Sequence, residues 1–270
     1  MTPSRRSRLL LRSVALGYLG LLLAAPVGLV FYRTFEHGAG AAWDAITTPE
    51  AIHAFQMTVL MIAIAVPANT VFGVVTAIAL VRHRFPGRGI VNALIDLPFA
   101  VSPVVIGLAL ILVYGENGWF GSWLAEQGIK VIFAPPGMIL ATIFVSLPFV
   151  VREVQPVLRE IGTEQEQAAA TLGASAFQTF RRITLPSIRW ALTYGIVLAT
   201  ARALGEFGAL SVVSGNIQGE TETMTLFVEQ RFRQFDLTGA YAASVVLAVL
   251  AVATLVSMNL LNRSRRRAAA

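Results

Sequence analysis

Six long apolar segments dominate the sequence, and they restrict its fold more than any other feature. A helix needs about 20 mostly apolar residues to cross the hydrocarbon core of a bilayer. The segments that reach or approach this length are residues 14–31, 57–81, 90–114, 136–151, 190–213 and 240–261. The fourth is short and contains Pro148, so it must be buried among other helices or continue beyond Val151. We therefore predict an all-α, polytopic membrane protein with six transmembrane helices.

The composition supports this prediction and excludes several classes of function. Hydrophobic residues make up 56% of the chain and charged residues only 13%, whereas a soluble domain usually carries about 25% charge. No cysteine is present, so neither disulfides nor thiolate metal sites are expected. The three histidines, His37, His53 and His83, do not stand at metal-ligand spacings. We predict no catalytic residue and no metal site, because a membrane enzyme would need a cluster of reactive side chains.

Basic residues are distributed asymmetrically around the six segments. Sixteen of the 21 Lys and Arg residues lie before the first segment, between the second and third, between the fourth and fifth, or after the sixth. Positively charged loops stay in the cytoplasm, so both termini are predicted to be cytoplasmic. The same spread over four sites argues against a nucleic-acid-binding patch. The N-terminus resembles a signal peptide, but its long apolar run without an A-x-A site predicts an uncleaved first helix.

The predicted domain organisation follows from this topology. A basic cytoplasmic segment, residues 1–13, precedes a transmembrane domain of residues 14–262. A basic cytoplasmic tail, residues 263–270, follows it. The longest cytoplasmic connection within the transmembrane domain is the loop 152–189.

Local residue preferences predict two short helices in this loop. Residues 164–173 are rich in Glu, Gln and Ala, and the acids stand near the start, where the helix dipole favours them. Gly173 can end this helix, and Ser175 is a candidate N-cap for a second one. Pro186 is predicted to stop the second helix before the fifth span. Two interpretations stay open from these residues: an ordinary amphipathic loop, or a rigid knob that transmits force.

Ionisable residues inside predicted spans are few. Asp96 lies near the start of the third span, and Arg202 and Glu206 lie four residues apart in the fifth, on one helix face. Such residues usually face a pathway or a partner. The Arg202–Glu206 pair is either a self-neutralising structural pair or a gate beside the pathway. Arg202 is the only cation inside a predicted span, so it is a candidate for an anion path.

Prolines interrupt several predicted spans. Pro98 and Pro103 flank Ser102, which predicts a broken third span. The exposed amides of broken helices suit oxyanions, which makes Ser102 a candidate pathway residue. Prolines are also common in membrane helices in general, so the alternative is that these prolines are an ordinary structural feature.

The cytoplasmic loop resembles the EAA loop of ABC importer permeases, whose pattern is E-A-A-x3-G-x9-I-x-L-P. The residues that match in type and spacing are Ala168, Ala169, Gly173, Ile183, Leu185 and Pro186. Gln167 stands where the family usually has Glu, and Glu166 is one residue off and is expected to face elsewhere. The resemblance implies a coupling helix that docks in a cleft of an ATPase subunit. It also implies that one polar contact at Gln167 differs from the family pattern.

Other stretches narrow the resemblance. They read SLPFVVRE from Ser146, DLPFAVSPVV from Asp96, RALGEFGA from Arg202, SVVSG from Ser211 and GET from Gly219. These stretches resemble the permeases of sulfate, thiosulfate and molybdate importers, most of all the CysW-type subunits of the sulfate/thiosulfate system. The similarity runs from about Gln56 to beyond the sixth span.

This resemblance implies an assembly in the bacterial inner membrane. The expected partners are a second, homologous permease, two ATP-binding subunits and a periplasmic or lipid-anchored sulfate-binding protein. ATP and Mg²⁺ would be used by the ATPase subunits, and no cofactor is expected on this chain, which has no G-x-x-x-x-G-K-[ST] motif. Two alternatives stay open: a molybdate or tungstate importer of the same type, and a secondary anion transporter or channel without an ATPase.

Overall fold

The computed structural model describes residues 5–268, so residues 1–4 and 269–270 of the predicted basic end segments lie outside the described residues. Within this range the chain folds into α-helices, with two π-helical turns at Gly20–Ala24 and Phe180–Thr184. The α-helices are α1 Arg5–Leu19, α2 Ala25–Phe35, α3 Ala39–Ile46, α4 Pro49–Arg82, α5 Arg88–Ala100, α6 Pro103–Tyr114, α7 Gly121–Glu126, α8 Pro135–Ile161, α9 Glu164–Thr171, α10 Ala176–Thr179, α11 Leu185–Leu204, α12 Leu210–Val213, α13 Met224–Arg233 and α14 Leu237–Ala268. The prediction of an all-α protein is confirmed.

Four helices in the described range are long and apolar enough to cross a bilayer. They are Leu11–Phe35, Pro49–Arg82, Pro135–Ile161 and Leu237–Thr254. Helices α5 and α6 together make a fifth candidate, a span bent by 117°. Helix α11 falls outside this set because Arg189 and Arg202 lie near its two ends and lower its hydropathy. The chain is thus a polytopic membrane protein with four or five candidate spans.

Helix α8 lies at the centre of the bundle and packs against α4, α5, α6, α11 and α12. Its core contacts with α4, α5 and α11 are made by aliphatic side chains of compatible size. The buried members of this cluster are Val74, Ala77, Leu80, Ile95, Val150, Val151, Val154, Leu158, Ile188 and Ala199. The close packing of the three longest central helices supplies the frame on which the loops are held.

Two glycines let α4 and α11 approach α8 closely at one residue, Val150. A Cβ on Gly73 would lie 2.7 Å from the Cβ of Val150, and a Cβ on Gly195 would lie 3.0 Å from its Cα. Nearby, the buried amide of Asn69 donates to Ser146 Oγ at 2.8 Å. Small residues and an interhelical hydrogen bond are the usual devices of helix packing in membranes.

The fourth predicted span, residues 136–151, continues in the structure to Ile161. The helix passes through Pro148 and Pro156 without ending. More than half of its most apolar stretch is buried, so packing against neighbours compensates for the backbone hydrogen bonds that the prolines cannot donate. The first ten residues of the predicted loop 152–189 are consequently helical.

The predicted break in the third span is present. Helix α5 ends at Ala100, Val101 is extended, and α6 begins at Pro103 in a direction 117° away. Pro103 occupies the first turn of α6, where its missing N–H costs nothing.

The fifth predicted span, residues 190–213, is wrong at its C-terminal end. Helix α11 ends at Leu204, and the short helix α12 begins only at Leu210. Glu206 Oε1 accepts a hydrogen bond from the backbone N–H of Ala209 at 2.9 Å, and Thr225 Oγ1 donates to the Glu206 carbonyl at 2.7 Å. These side-chain bonds replace the backbone bonds that a continuing helix would have made.

Candidate functional site

The EAA-like loop, residues 164–186, folds as the local residue preferences predict. Helix α9 ends at Thr171, and Gly173 has a φ of +80°, a conformation that favours glycine. Ser175 caps α10 with a capping box, in which its hydroxyl accepts from the Gln178 N–H and the Gln178 side chain accepts from the Ser175 N–H. The loop is therefore an ordered pair of short helices.

Pro186 does not stop the second helix, which corrects the prediction. Helix α10, the π turn Phe180–Thr184 and helix α11 follow one another without a gap. In the π turn the N–H of Leu185 donates to the carbonyl of Phe180. The wider turn gives space ahead of Pro186, which sits in the first turn of α11.

The outer surface of the EAA-like loop carries two exposed, large apolar side chains. Leu172 is 87% exposed and Phe177 is 70% exposed. Ala168, Gly173 and Pro186 are also exposed. Large apolar side chains that are exposed on the same short loop indicate a contact surface for another protein.

Of the remaining predicted loop residues, three are half-buried and two form side-chain bonds. Ala169, Ile183 and Leu185 are half-buried. Gln167, in the usual Glu position, is exposed, and its Nε2 donates to Thr163 Oγ1 at 3.1 Å. Glu166 points the other way, toward α4, and its Oε2 lies 3.0 Å from Arg82 Nε.

Arg202 and Glu206 meet at the end of α11. Arg202 Nη1 lies 2.7 Å from Glu206 Oε2, so the predicted pair is present, although Glu206 stands just beyond the helix. The Glu206 side chain is 1% exposed and the Arg202 side chain 30% exposed. The carboxylate is thus buried behind a guanidinium that reaches an open surface.

The two helix breaks lie against each other. A Cβ on Gly208, in the break after α11, would lie 3.0 Å from the Cβ of Pro103 at the start of α6. A Cβ on Gly107 would lie 2.9 Å from the carbonyl oxygen of Ala209. Ser102, which precedes α6, is exposed, and its side chain makes no capping hydrogen bond. The structure therefore brings the Ser102 break beside the break that holds Glu206.

Asp96 is bonded to Arg152 on α8 and not to a residue of the two helix breaks. Its Oδ1 accepts from Arg152 Nε at 2.7 Å, and its Oδ2 also contacts Arg152. Arg152 additionally donates to Gln155 Oε1 at 2.8 Å and to the carbonyl of Asn92 at 3.4 Å. Asp96 therefore joins α5 to α8, and the sequence reasoning counted Arg152 only as a topological charge.

Three further polar residues were missed by the sequence analysis. Arg82 and Arg152 were read as loop charges, although each pairs with an acid more than 50 residues away. Glu222, in the loop between α12 and α13, is fully buried, and neither carboxylate oxygen has a hydrogen-bond partner. No sequence signal marks these contacts because each depends on the tertiary fold. Among the described residues no cluster of His, Asp and Glu has the arrangement of a metal site.

With this geometry established, comparison with known proteins identifies the class. Residues 69–267 match the family of binding-protein-dependent transport system inner membrane components. The chain belongs to this family, so it is a multi-pass permease component of an ABC transporter and not itself the ATPase.

Individual relatives are more specific. The chain is 52% identical over 254 residues to a sulfate transport system permease protein CysW of Synechocystis sp., covering 94% of this chain and 92% of that one. It is 47% identical over 234 residues to the CysW protein of Escherichia coli K12, covering 87% and 80% of the two chains. It is 41% identical over 241 residues to the E. coli K12 permease CysT, covering 89% and 87%.

The fold is shared with a more distant transporter. A crystal structure of a bacterial ABC transporter that imports the acidic polysaccharide alginate superposes with a TM-score of 0.78. The two chains are 18% identical, and the alignment covers 97% of this chain and 96% of the other. The architecture described above is therefore that of an ABC importer permease.

Proposed function

We propose that this chain is the CysW-type permease of an ATP-driven importer of sulfate and thiosulfate, forming half of the translocation pathway. The observation that carries the proposal is the 52% identity to a sulfate permease over nearly the whole of both chains. The stretches around Asp96, Arg202 and Ser211 belong to the same resemblance.

The proposed topology has six spans with both termini in the cytoplasm. The support is the placement of sixteen of the 21 basic residues on one side of a six-span arrangement. In this proposal the six membrane-crossing elements would be the four candidate helices, the bent α5–α6 pair and α11, which contains most of the fifth predicted span. In this topology the transmembrane domain is 14–262, flanked by the basic segments 1–13 and 263–270, and the EAA-like loop is cytoplasmic.

The EAA-like loop is the proposed docking site for an ATPase subunit. Its support is the ordered pair of helices and the apolar surface of Leu172 and Phe177. Gln167 bonds to Thr163, the residue just before its own helix, so we expect docking to rely on apolar contact where the usual Glu would offer charge. Two ATP-binding subunits would use ATP and Mg²⁺, and this chain would bind neither.

The other proposed partners are a second permease and a sulfate-binding protein. The similarity to CysT proteins favours a CysT-like chain as the second permease, because homologous permeases of one fold can form a pseudo-symmetric pair. The family description, binding-protein-dependent transport, supports a periplasmic or lipid-anchored binding protein that delivers the anion.

Arg202 is the proposed anion-facing residue of the pathway. Its partner Glu206 is buried, whereas Arg202 itself is 30% exposed beside the junction of the two helix breaks. A guanidinium on a half-buried side chain, fixed in position by a buried carboxylate, can attract a tetrahedral oxyanion while it keeps its partner. Ser102 adds an exposed hydroxyl at the same junction, and Asp96 holds α5 to α8 just before the break.

The test of function is uptake of radiolabelled sulfate by cells that lack their own sulfate importer, with and without this chain and its partners. We expect ATP-dependent uptake that unlabelled thiosulfate inhibits more strongly than molybdate. Stronger inhibition by molybdate would transfer the proposal to a molybdate or tungstate importer. Uptake that continues without any ATPase subunit would indicate a secondary transporter or channel.

The proposed role of Arg202 is tested with variants that distinguish its ion pair with Glu206 from its attraction of the transported anion. Arg202→Gln should reduce uptake, and so should the double variant with Glu206→Gln, because neither retains the cation. If the pair is only structural, the double variant recovers uptake, since no unpaired buried carboxylate remains. Arg189→Gln, at the other end of α11, is the matched control and should leave uptake unchanged.

A further inference from the structure

A partly buried ion pair joins the EAA-like loop to the body of the bundle. Glu166 Oε1 accepts hydrogen bonds from Arg82 Nη2 at 3.2 Å and from Thr184 Oγ1 at 2.9 Å. Glu166 Oε2 lies 3.0 Å from Arg82 Nε, and Arg82 Nη1 donates to the carbonyl of Leu158 at 2.9 Å. The four residues come from α4, α8, α9 and the π turn, so the Arg82–Glu166 ion pair connects four elements.

The surroundings distinguish this pair from an ordinary surface salt bridge. The Arg82 side chain is 11% exposed, that of Glu166 is 23% exposed, and Thr184 is buried. A partly buried charge pair with several hydrogen bonds has a defined geometry and is weakly screened by salt. Exposed pairs between flexible side chains have neither property.

This contact is the polar connection of α9 to the spans. Helix α9 packs mainly on α10 and on the π turn, both of which belong to the same loop. The side-chain hydrogen bonds of Gln167 and Thr171 stay within α9 and the residue before it. Among the described residues, Glu166 alone forms a polar link from α9 to a spanning helix.

We propose that Glu166 and Arg82 form the link through which displacement of the EAA-like loop moves the ends of α4 and α8. The inference rests on the proposed function, in which an ATPase moves this loop. In that setting Glu166 is a positioning residue that faces away from the ATPase, while the neighbouring exposed surface makes the docking contact. Because Arg82 also holds the Leu158 carbonyl, one guanidinium transmits the displacement to two spans.

The first test measures whether loop and α4 move together. The sequence has no cysteine, so His83→Cys and Gln165→Cys, both at exposed positions on either side of the link, are the only spin-label sites in this chain. The partner subunits are prepared without accessible cysteines. In the assembled complex we expect one narrow distance distribution that is the same with and without ATP. With Glu166→Gln added, the distribution should broaden and change on ATP binding. An unchanged narrow distribution would overturn the proposal, whichever anion is transported.

The second test measures coupling in proteoliposomes, as labelled sulfate imported per ATP hydrolysed. Glu166→Gln and Arg82→Gln should each lower this ratio about tenfold while the ATPase still copurifies, a size consistent with loss of a coupled, partly buried pair. Glu160→Gln, exposed in the last turn of α8 and outside the EAA-like loop, is the matched control and should keep the wild-type ratio.

Exchange of the two charges decides between a link and a merely structural role. The variant Arg82→Glu with Glu166→Arg restores the pair but not the bond to the Leu158 carbonyl, so recovery to within about threefold is expected. A charge exchange no better than the single variants, or single variants with normal ratios, would contradict the proposal. Absence of sulfate import by the wild-type complex would instead refute the proposed anion, and the label distances would still test the link.

Discussion

Glu222 should make the stability of this protein fall as pH rises. The residue lies in the loop between α12 and α13, and its carboxyl group is fully buried without a hydrogen-bond donor. Burial raises the pKa of Glu222 to about 7, with Glu50 adding to the rise and Arg231 and His53 opposing it. These three groups come from α4 and α13, the helices packed around the loop.

The magnitude follows from linkage. The ordinary pKa is 4.5, so between about 4.5 and about 7 the folded protein keeps a proton that the unfolded chain has lost. The free energy of unfolding therefore decreases as pH rises through this window, and the decrease is complete above pH 7. Each pKa unit corresponds to about 1.4 kcal/mol, which sets an upper limit of about 3 kcal/mol.

Glu222→Gln removes the ionisation and should remove this decrease. The free energy of unfolding in detergent, measured from pH 4.5 to pH 8, should drop by about 1–3 kcal/mol for the wild type and stay flatter for the variant. Glu220→Gln, whose side chain is exposed two residues away, is the matched control and should behave as the wild type. Parallel pH profiles for the wild type and Glu222→Gln would refute the reasoning.

Two other predictions concern packing and the loop. Gly73→Ala should destabilise the fold by about 1–3 kcal/mol in a thermal or denaturant melt, because its Cβ would press on Val150. Gly28→Ala, at a helical position with no atom within 4 Å, is the control and should stabilise by roughly 0.5–1 kcal/mol. Ser175→Ala should weaken α10 by about 1 kcal/mol, seen as faster amide exchange at Gln178 with no change in α4; unchanged exchange would contradict the capping assignment.

Features that depend on a few neighbouring residues could be predicted from the sequence. The break at Ser102 follows from the two flanking prolines, and the turn at Gly173 and the cap at Ser175 follow from residue type and spacing. Each of these features is determined within about six residues. The apolar segments likewise predicted where helices form, since hydropathy is a local property.

Features that depend on tertiary contacts could not be predicted from the sequence. Arg82 and Glu166 are 84 positions apart, so both were given other roles: a loop charge and a residue of the docking loop. The end of α11 at Leu204 was missed because part of what stabilises it is distant in sequence: Thr225 Oγ1, 19 residues away, donates to the Glu206 carbonyl, in addition to the local bond from the Ala209 N–H to the Glu206 side chain. Pro186 was predicted to stop the second loop helix because a π turn, which accommodates the proline, has no simple residue pattern.

The π turn Phe180–Thr184 has a consequence for how this surface changes in evolution. A π turn holds about one residue more than an α turn, and each residue of an α-helix adds about 100° of rotation. Deleting one residue here would convert the turn to α-helix and swing α10, with Phe177, by about 100° around the axis of α11. The direction in which the docking face points is thus set by the number of residues in the π turn. A single-residue deletion there would redirect this face without altering any contact residue.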